Sequence, residues 1–357
     1  MQKDDVRRYF GLVLFDRKKD IGACLGGRPI LFIRWDAKLG DSIVSSWVAR
    51  ELKRCCPERE VWAVTSPSMK DIYQHDYLFD RVLTIQKRPS YHELKALCEE
   101  IGSVDYVVHF GKRLKMKDLF FLNRVKSAHI IGLDDRVKLV SIKLGAASEK
   151  LHFVEKFKLA LDKIGVNSPD TSYIIPQRVT TISKLKHKLK NQWVENEVVL
   201  CFNPFGSGNS RKMSTNLSAS LINEMLDKSD ANIILLCADE MKGEAQKITR
   251  MVSDVQRVYL HDEKSSLDTL VSLMELSSGV ISVDTATVHI ASGLNKPLLA
   301  IYNNNPDNYS EWHPNSPMAS VIFSSEMFIE DINLLSTEYF GREFGSWYRK
   351  FFLGKQL

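Results

Sequence analysis

The sequence predicts two α/β domains, each built on a largely parallel β-sheet. Short apolar runs rich in β-branched residues alternate with amphipathic stretches along most of the chain, which is the pattern of repeated βαβ units. The length of 357 residues exceeds the usual size of one domain, and each half is long enough to bury its own core. The segment 166–170, Val-Asn-Ser-Pro-Asp, follows a helical stretch and predicts the linker between the domains.

The first domain is predicted to span residues 1–166. Its strands are expected at 30–35, 61–65, 81–85, 105–110 and 129–133, and its clearest helices at 42–54, 91–101 and 149–164. The second domain is predicted to span residues 171–325. Its strands are expected at 197–203, 232–237, 257–260, 279–283 and 297–302, with a helix near 216–226.

The remaining tail, 326–357, has apolar residues at helical spacing and ends in an aromatic and basic string. We expect it to pack back across the first domain. Adsorption of the tail to a membrane interface is the alternative.

Composition excludes several classes of protein. The hydrophobic content of 44% and the charged content of 26% are ordinary for a soluble globular protein. No apolar run is long enough to span a bilayer, and the N-terminus is too charged for a signal peptide, so a cytoplasmic location is expected. The six cysteines form no Cys-x-x-Cys pair, which indicates reduced, mostly structural thiols.

The net charge of +5 is mild, and no nucleic-acid-binding motif accompanies it, so no nucleic-acid partner is expected. Basic residues cluster at 112–117, 124–126 and 184–190. Such clusters are commonly solvated helix faces. Those in the first half of the chain are also placed to face an anionic substrate or a phospholipid surface.

A strand-to-helix junction lies near the start of the chain. The apolar run 29–36 reads as a buried strand, and residues 37–43 turn directly into a helix. Gly40 allows a close approach of the backbone, and Asp41 falls at the start of the helix. A carboxylate at that point can cap the helix or act on a ligand, and the spacing leaves both roles open.

Two similar junctions lie in the second half. In the segment 280–297 a β-branched run leads into a helix that Asp284 or Thr285 can cap, with Thr287 and His289 in its first turns. The run 198–203 is followed by the glycine-containing polar loop 204–213. Parallel sheets bind ligands at the carboxyl ends of their strands, and a helix that begins there directs unpaired N–H groups at an anion, so these junctions predict a ligand site.

Three motifs resemble the bacterial ADP-heptose:lipopolysaccharide heptosyltransferases, glycosyltransferase family nine. The segment 34–41, Arg-Trp-Asp-Ala-Lys-Leu-Gly-Asp, is similar to the family's N-terminal R-x-D-x-x-G-D signature. The segment 282–289, Ser-Val-Asp-Thr-Ala-Thr-Val-His, resembles its C-terminal D-T/S-x-x-x-H donor site. Arg211 and Lys212 stand where the family has a loop lysine after the first strand of the second domain.

This resemblance implies two Rossmann-like domains that face a cleft, the GT-B type. It also implies an inverting transfer of heptose from ADP-heptose to the inner core of lipopolysaccharide or lipooligosaccharide. The acceptor would be held mainly by the first domain and the donor mainly by the second. The protein would then be a cytoplasmic enzyme in peripheral contact with the cytoplasmic face of the inner membrane.

The same resemblance, together with what each side chain can do chemically, assigns the site residues. Asp41 is the expected general base, with Asp36 as a support for its loop, and Lys38 and Lys112 are expected to approach acid groups of the acceptor. Lys212 and the backbone N–H groups of residues 285–287 are expected to neutralise the departing diphosphate. The full set expected to bind the donor is Asn203, Gly206, Lys212, Glu240, Asp284, Thr285, Ala286, Thr287 and His289.

Some of these assignments have structural alternatives. A buried histidine in the core would explain His289 without a ligand, and Asp239 with Glu240 could be a solvated surface pair rather than a ribose site. The chain has no Asp-x-Asp sequence, so no metal site and no cofactor are expected. Two other functions stay open: a nucleotide-cofactor oxidoreductase, since Gly206 and Gly208 follow a strand, and a noncatalytic module that binds nucleotide sugars.

Overall fold

The computed structural model describes residues 3–18, 27–35, 38–176, 179–190, 197–261 and 264–354. The chain divides into two compact units between Ile174 and Ile175, a few residues after the expected linker. Each unit contains one six-stranded parallel sheet in the described residues. The predicted α/β class, with two Rossmann-like units, is therefore confirmed.

The first unit has strands β1 (Ile30–Arg34), β2 (Val61–Thr65), β3 (Arg81–Thr84), β4 (Ser103–His109), β5 (Lys126–Gly132) and β6 (Ile142–Lys143). Its helices are α1 (Lys3–Phe15), α2 (Leu39–Val44), α3 (Val48–Cys55), α4 (Tyr91–Ile101), α5 (Met116–Arg124), α6 (Gly145–Ser148) and α7 (Phe153–Asp162). The strand order is β3-β2-β1-β4-β5-β6. The order reverses between β1 and β4, and such a reversal opens a crevice at the carboxyl ends of the two strands.

The second unit has strands β7 (Val199–Asn203), β8 (Asn232–Leu235), β9 (Val258–Leu260), β10 (Gly279–Val283), β11 (Leu298–Tyr302) and β12 (Ala319–Phe323). Its helices are α8 (Val179–Lys190), α9 (Thr215–Lys228), α10 (Lys242–Thr249), α11 (Leu267–Leu276), α12 (Ala286–Gly293), α13 (Pro306–Trp312) and α14 (Thr337–Tyr348). The order β12-β11-β10-β7-β8-β9 repeats the winding of the first sheet, with its reversal between β7 and β10.

The central strands β1, β7 and β10 are buried except at Val199, the first residue of β7, as expected for a sheet covered by helices on both faces. The helix expected over 42–54 is divided into α2 and α3 by a turn at residues 45–47. The hydroxyls of Ser42 and Ser45 donate to the carbonyls of Lys38 and Asp41 at 3.0 and 3.1 Å. Serine side chains that bond the preceding turn in this way weaken the regular helical ladder.

The C-terminal tail packs in the second unit, whereas we expected it to pack across the first. Helix α14 lies against α9, and Phe340, Phe344 and Trp347 belong to the core of the second unit. Gly341 lies in this contact, where a Cβ would stand 1.9 Å from Glu224 Oε2 on α9 and would displace the end of that side chain. The apolar spacing over 327–335 did not mark a buried helix face, since Met327, Ile329 and Leu334 are exposed and only Ile332 and Leu335 are buried. The buried face of the tail lies further along the chain, on α14.

Helix α1 precedes the first strand and has no counterpart among the predicted elements. It packs on α5 through Gly11, where a Cβ would lie 3.0 Å from Leu119 Cδ1. Neither α1 nor any other helix in the described part of the chain combines the length and the apolar character needed to cross a membrane.

Candidate active site

The reversal in the first sheet is lined by the end of β1 and the end of β4. Arg34, the last residue of β1, is buried and donates from Nη2 to the carbonyl of Asp41 at 2.8 Å. Its Nε donates to the Tyr73 hydroxyl at 3.3 Å, and its guanidinium lies over the ring of Phe157 at 5.4 Å. Arg34 therefore fixes the first turn of α2 relative to the strand, and with it the position of Asp41.

Asp41 is the third residue of α2 and is half-buried. Its Oδ2 accepts the backbone N–H of Lys38 at 3.0 Å, which is a capping interaction. In the described part of the chain this is the one hydrogen-bond partner found for the carboxylate, so its second oxygen is available to a ligand. Asp36, expected to support this loop, lies outside the described residues.

The end of β4 places a second polar group beside this junction. His109 is buried and meets the ring of Trp35, just after β1, edge to face at 5.7 Å. His109 Nε2 lies 3.4 Å from Asp118 Oδ1. Burial by itself would raise the pKa of Asp118, but the neighbouring imidazole and the backbone N–H of Lys115 together lower it below its ordinary value.

The two lysines expected to bind the acceptor line different cavities. Lys38 lines a cavity of about 390 Å³ at the carboxyl ends of β1, β2 and β3, together with Ser66 and Ser68. Lys112 lines a larger cavity of about 680 Å³ after β4 and β5. The structure brings both to the same edge of the sheet but not into one cavity.

The larger cavity is rich in charge. Its basic residues are Arg8, Lys112, Arg113, Arg136 and Lys156, against the acidic residues Asp134, Asp135 and Glu149. Two of the three acids have internal partners. Asp134 pairs with Arg8 at 2.7 Å, and Asp135 accepts the N–H groups of Gly145 and Ala146 at 2.9 and 2.8 Å. The five basic and three acidic side chains leave an excess of two positive charges, which Asp5 of α1, the partner of Arg113, reduces to one.

In the second unit, the loop after β7 folds back on itself. Phe205 and Lys212 form an antiparallel bridge, and the N–H of Gly206 donates to the carbonyl of Arg211 at 3.2 Å. A Cβ on Gly206 would lie 2.3 Å from that carbonyl oxygen, so only glycine fits this turn. Gly206, predicted to bind the donor, thus shapes the loop that carries the basic pair 211–212.

Arg211 and Asp284 meet at the reversal in the second sheet. Arg211 Nη1 donates to Asp284 Oδ2 at 3.1 Å, while its Nη2 and Nε bond the hydroxyl and the carbonyl of Ser207. Asn308 Nδ2 donates to the same Asp284 oxygen at 2.9 Å. Asp284 is buried, and both partners stabilise its charge. This places a guanidinium directly in front of helix α12.

The Lys212 side chain lies against α10 and not against Asp284. Its Nζ forms an ion pair with Glu244 Oε2 of α10 at 2.7 Å. Arg211 ends the 3₁₀ turn Asn209–Arg211, whereas the backbone of Lys212 is extended, and the two side chains pair with different elements, Arg211 with Asp284 and Lys212 with α10. The geometry therefore favours Arg211 over Lys212 as the cation that faces a ligand at α12.

Helix α12 presents the backbone N–H groups that the sequence predicts to bind an anion. Thr285 is its N-cap residue, although the Thr285 side chain makes no capping hydrogen bond. The N–H groups of Thr285, Ala286 and Thr287 belong to the first turn, where an α-helix offers them no internal acceptor. The Thr287 hydroxyl is buried, bonded to Ser282 and accepting from Asn203 Nδ2 at 3.0 Å. Asn203 and Thr287 therefore join β7 and β10 to the helix through their side chains.

His289 lies on the buried face of α12, 3% exposed, with its ring edge to face against Trp312 at 6.2 Å. This burial fits the alternative in which His289 is a core residue that binds no ligand. Glu240, in contrast, is exposed just beyond β8. The neighbouring Asp239 bonds Lys242 and the N–H of Ser265, which together lower its pKa to about 2, so Glu240 is the carboxylate more available to a ribose.

Sequence reasoning missed the roles of Arg34 and Asn308, and of the basic pair 211–212 it assigned the diphosphate to Lys212, with Arg211 as the next candidate. Arg34 was inside the first motif, and the run 303–305, three asparagines after β11, was a further strand-to-helix junction that could have directed attention to Asn308. In the described residues, no group of three or more His, Cys, Asp or Glu is arranged to hold a metal ion.

Comparisons with known proteins identify this architecture. A family model for glycosyltransferase family 9 (heptosyltransferase) matches residues 97–330, well over half of the chain. A search of curated proteins gives no match. Solved structures give three similar folds: a glycosyl transferase family 9 protein from Veillonella parvula, ADP-heptose LPS heptosyltransferase II from E. coli, and E. coli heptosyltransferase WaaC with ADP.

The Veillonella structure has 14% identity and a TM-score of 0.74, with 91% of this chain and 98% of that chain covered. Heptosyltransferase II has 16% identity and a TM-score of 0.68, with 90% of this chain and 99% of that chain covered. WaaC has 17% identity and a TM-score of 0.65, with 89% of this chain and 99% of that chain covered. At these identities the structures show a shared fold, and the family model carries the assignment. The family resemblance that the three motifs predicted is thereby confirmed. The alternative function, a nucleotide-cofactor oxidoreductase, is not supported. The chain belongs to glycosyltransferase family 9, the heptosyltransferases, and is a glycosyltransferase.

Proposed function

We propose that this enzyme transfers heptose from ADP-heptose to an inner-core sugar of lipopolysaccharide or lipooligosaccharide, with inversion at the anomeric carbon. The observation that carries the proposal is the position of the motif residues at the reversal of each sheet. Asp41 follows β1 in the first unit, while Asp284 with its partner Arg211 precedes α12 in the second. The similar E. coli WaaC has been solved with ADP and with ADP-2-deoxy-2-fluoro heptose, which supports ADP-heptose as the donor.

In the proposed single displacement, Asp41 removes the proton from an acceptor hydroxyl as its oxygen attacks the anomeric carbon. The bond between that carbon and the β-phosphate oxygen breaks, and ADP leaves with the electron pair. Arg211 and the first N–H groups of α12 stabilise the charge that develops on the diphosphate. Asp284 holds the guanidinium toward the helix, while Glu240 accepts from a ribose hydroxyl and Lys212 contributes a more distant positive charge.

The first unit is the proposed acceptor side. The cavity of about 680 Å³ next to Lys112 has an excess of basic side chains that suits the acid groups of a core acceptor. Lys38, exposed at the neighbouring cavity, is placed to approach the same molecule from the Asp41 side. An acceptor anchored in lipid requires the enzyme to work as a peripheral protein at the cytoplasmic face of the inner membrane.

Calorimetric titration with ADP, UDP, GDP and NAD tests the donor class. We expect ADP to bind more tightly than UDP or GDP, and ADP-heptose to compete with it. Arg211→Lys should weaken ADP binding less than Arg211→Ala, because the ammonium keeps the charge but loses the planar fork. Preferred binding of UDP or GDP would assign another nucleotide sugar, and tight binding of NAD with hydride transfer would contradict the proposal.

We predict that transfer continues in excess EDTA. The chain has no Asp-x-Asp sequence for a divalent ion, and the proposal gives the neutralisation of the leaving diphosphate to Arg211 and α12. The rate should be the same, within about twofold, before and after chelation, and after Mg²⁺ is restored. A strict and reversible requirement for Mg²⁺ or Mn²⁺ would contradict the metal-free mechanism.

A further inference from the structure

Helix α1 presents an apolar face that nothing covers in the described part of the first unit. The exposed fractions of five of its side chains lie between 38% and 60%: Val6, Tyr9, Phe10, Val13 and Leu14. Their spacing of i, i+3, i+4, i+7 and i+8 places them in one stripe along the helix. Single exposed apolar residues are normal on protein surfaces, but a continuous stripe of this kind marks an interaction site.

The stripe is held facing outward because the opposite side of α1 is firmly attached. Gly11 brings α1 against α5, and Arg8 on the inner side pairs with the buried Asp134 at 2.7 Å. At the end of the helix, Asn123 Nδ2 donates to the Phe15 carbonyl at 2.8 Å, and Asp16 accepts the N–H of Leu139 at 2.9 Å. The apolar side chains therefore cannot be buried by a simple rotation of the helix.

Basic residues surround the stripe. Arg7, Arg17 and Lys18 are exposed on or just after α1. Of the acids on this segment, Asp5 pairs with Arg113 and Asp16 is bonded to the backbone, while Asp4 lies nearly opposite Val6 at about 100° per residue. An apolar stripe with a basic rim is complementary to a bilayer that carries anionic headgroups.

The neighbouring surface has the same character. Phe15 meets Phe120 edge to face at 5.4 Å, and Phe120 meets Tyr91 at 4.9 Å. Arg124 lies over Phe120 and Lys117 over Tyr91, at 5.9 and 5.8 Å. Aromatic rings interleaved with basic side chains extend the patch from α1 over α5 and toward α4, which is the composition typical of a protein surface at a membrane interface.

We infer that this α1 face, Val6, Tyr9, Phe10, Val13 and Leu14 with the rim Arg7, Arg17 and Lys18, is the surface by which the enzyme binds an anionic lipid bilayer. A second copy of the chain is a poorer occupant, since a twofold contact would set the basic rim against itself. The inference deepens the proposed function and rests on it in one respect. Arg8 of α1 lines the basic cavity, so a bilayer at α1 would put that cavity beside an acceptor anchored in lipid.

Flotation of the full chain with lipid vesicles tests this surface. We expect the wild type to float with phosphatidylcholine vesicles that contain phosphatidylglycerol, to float weakly with phosphatidylcholine alone, and to be released by high salt. The pair Phe10→Ser and Val13→Ser should reduce the partition coefficient about tenfold or more for each side chain. The pair Arg7→Gln and Arg17→Gln should reduce it about fivefold per charge on anionic vesicles and leave binding to neutral vesicles unchanged.

A control removes two apolar side chains that are more exposed than Phe10 and Val13 and lie elsewhere. Met327 and Phe328 are 66% and 80% exposed in the second unit, and Met327→Ser with Phe328→Ser should float like the wild type. All variants should keep the wild-type melting temperature and ADP affinity, which separates lost membrane binding from misfolding.

Absence of wild-type flotation, or wild-type flotation by the α1 variants, would overturn the inference. So would a wild-type dimer in light scattering that the α1 variants convert to a monomer, because the face would then join two copies. If the wild type floats but transfers no heptose from ADP-heptose, the proposed function fails and the lipid-binding surface stands. If the wild type transfers heptose to a water-soluble acceptor but does not float, the lipid-binding surface fails and the proposed function stands.

Discussion

Asp41→Asn is expected to lower turnover about 10²- to 10⁴-fold, which is the usual contribution of a positioned general base. Asparagine keeps the size of the side chain and an oxygen that accepts the Lys38 N–H, now seen at 3.0 Å, but it cannot take a proton at neutral pH. The variant should therefore keep the wild-type melting temperature and ADP affinity. The measurement is kcat with ADP-heptose and a core acceptor, alongside calorimetry with ADP.

Glu93→Gln is the matched control for this variant. Glu93 is also the third residue of its helix and accepts the N–H of Ser90 at 2.7 Å, an interaction that lowers its pKa. It has the capping role of Asp41 without the proposed chemistry, so its replacement should leave kcat unchanged. Near-wild-type turnover by Asp41→Asn would reduce Asp41 to a capping residue and make Asp36 the next candidate for the base. A protein that only binds nucleotide sugars would show no transfer in either form.

Arg211→Ala is expected to weaken ADP binding about 10- to 100-fold, because a hydrogen bond to a charged group is worth about 1.5–3 kcal/mol. Lys212→Ala should change ADP affinity about threefold or less, since its partner is an exposed glutamate in the structure. The two residues are adjacent and carry the same charge, so each controls for the overall electrostatic effect of the other. Calorimetric titration with ADP measures both.

Removal of Arg211 also leaves Asp284 with one fewer partner, and the melting temperature of the variant must be compared with the wild type. Asp284→Asn with Arg211 intact addresses this point, since it releases the guanidinium without removing it. ADP affinity should fall far less in that variant than in Arg211→Ala. A large loss in Lys212→Ala together with a small loss in Arg211→Ala would restore Lys212 as the phosphate ligand and contradict the geometry.

The residues that precede and follow each central strand were predictable because their chemistry is local. Strand β1 is followed by the helix α2, whose third residue is Asp41. Strand β10 is followed directly by Asp284 and Thr285, which precede the helix α12. In both places the polar groups had to lie at the carboxyl edge of a parallel sheet. The alternation of strands with helices therefore predicted the fold class and the edge of each sheet at which the candidate functional groups lie.

The contacts that required tertiary structure were not predictable. Whether Arg211 or Lys212 faces α12 depends on the turn that Gly206 makes against the Arg211 carbonyl. The sequence shows only two adjacent basic residues and does not distinguish them. Asn308 lies 24 positions after Asp284 in the sequence, with strand β11 between them, and still reaches its carboxylate. The same limit applies to the tail, since apolar residues at helical spacing fit any core with a matching groove.

Helix α1 illustrates a different limit. Its spacing of apolar residues in 6–14 would ordinarily predict a face turned toward the core, whereas the structure leaves that face exposed. The contacts of Arg8 and Gly11 on the other side show which face is internal.

Product analysis by mass spectrometry tests the central claim most directly. The wild-type enzyme is incubated with ADP-heptose and a set of truncated lipopolysaccharide or lipooligosaccharide core acceptors, with Asp41→Asn in parallel. The account predicts that one core acceptor gains a single heptosyl unit while ADP is released, that the new linkage has the inverted anomeric configuration, and that Asp41→Asn forms little product. Transfer from a different nucleotide sugar, a product with retained configuration, or full product formation by Asp41→Asn would contradict it.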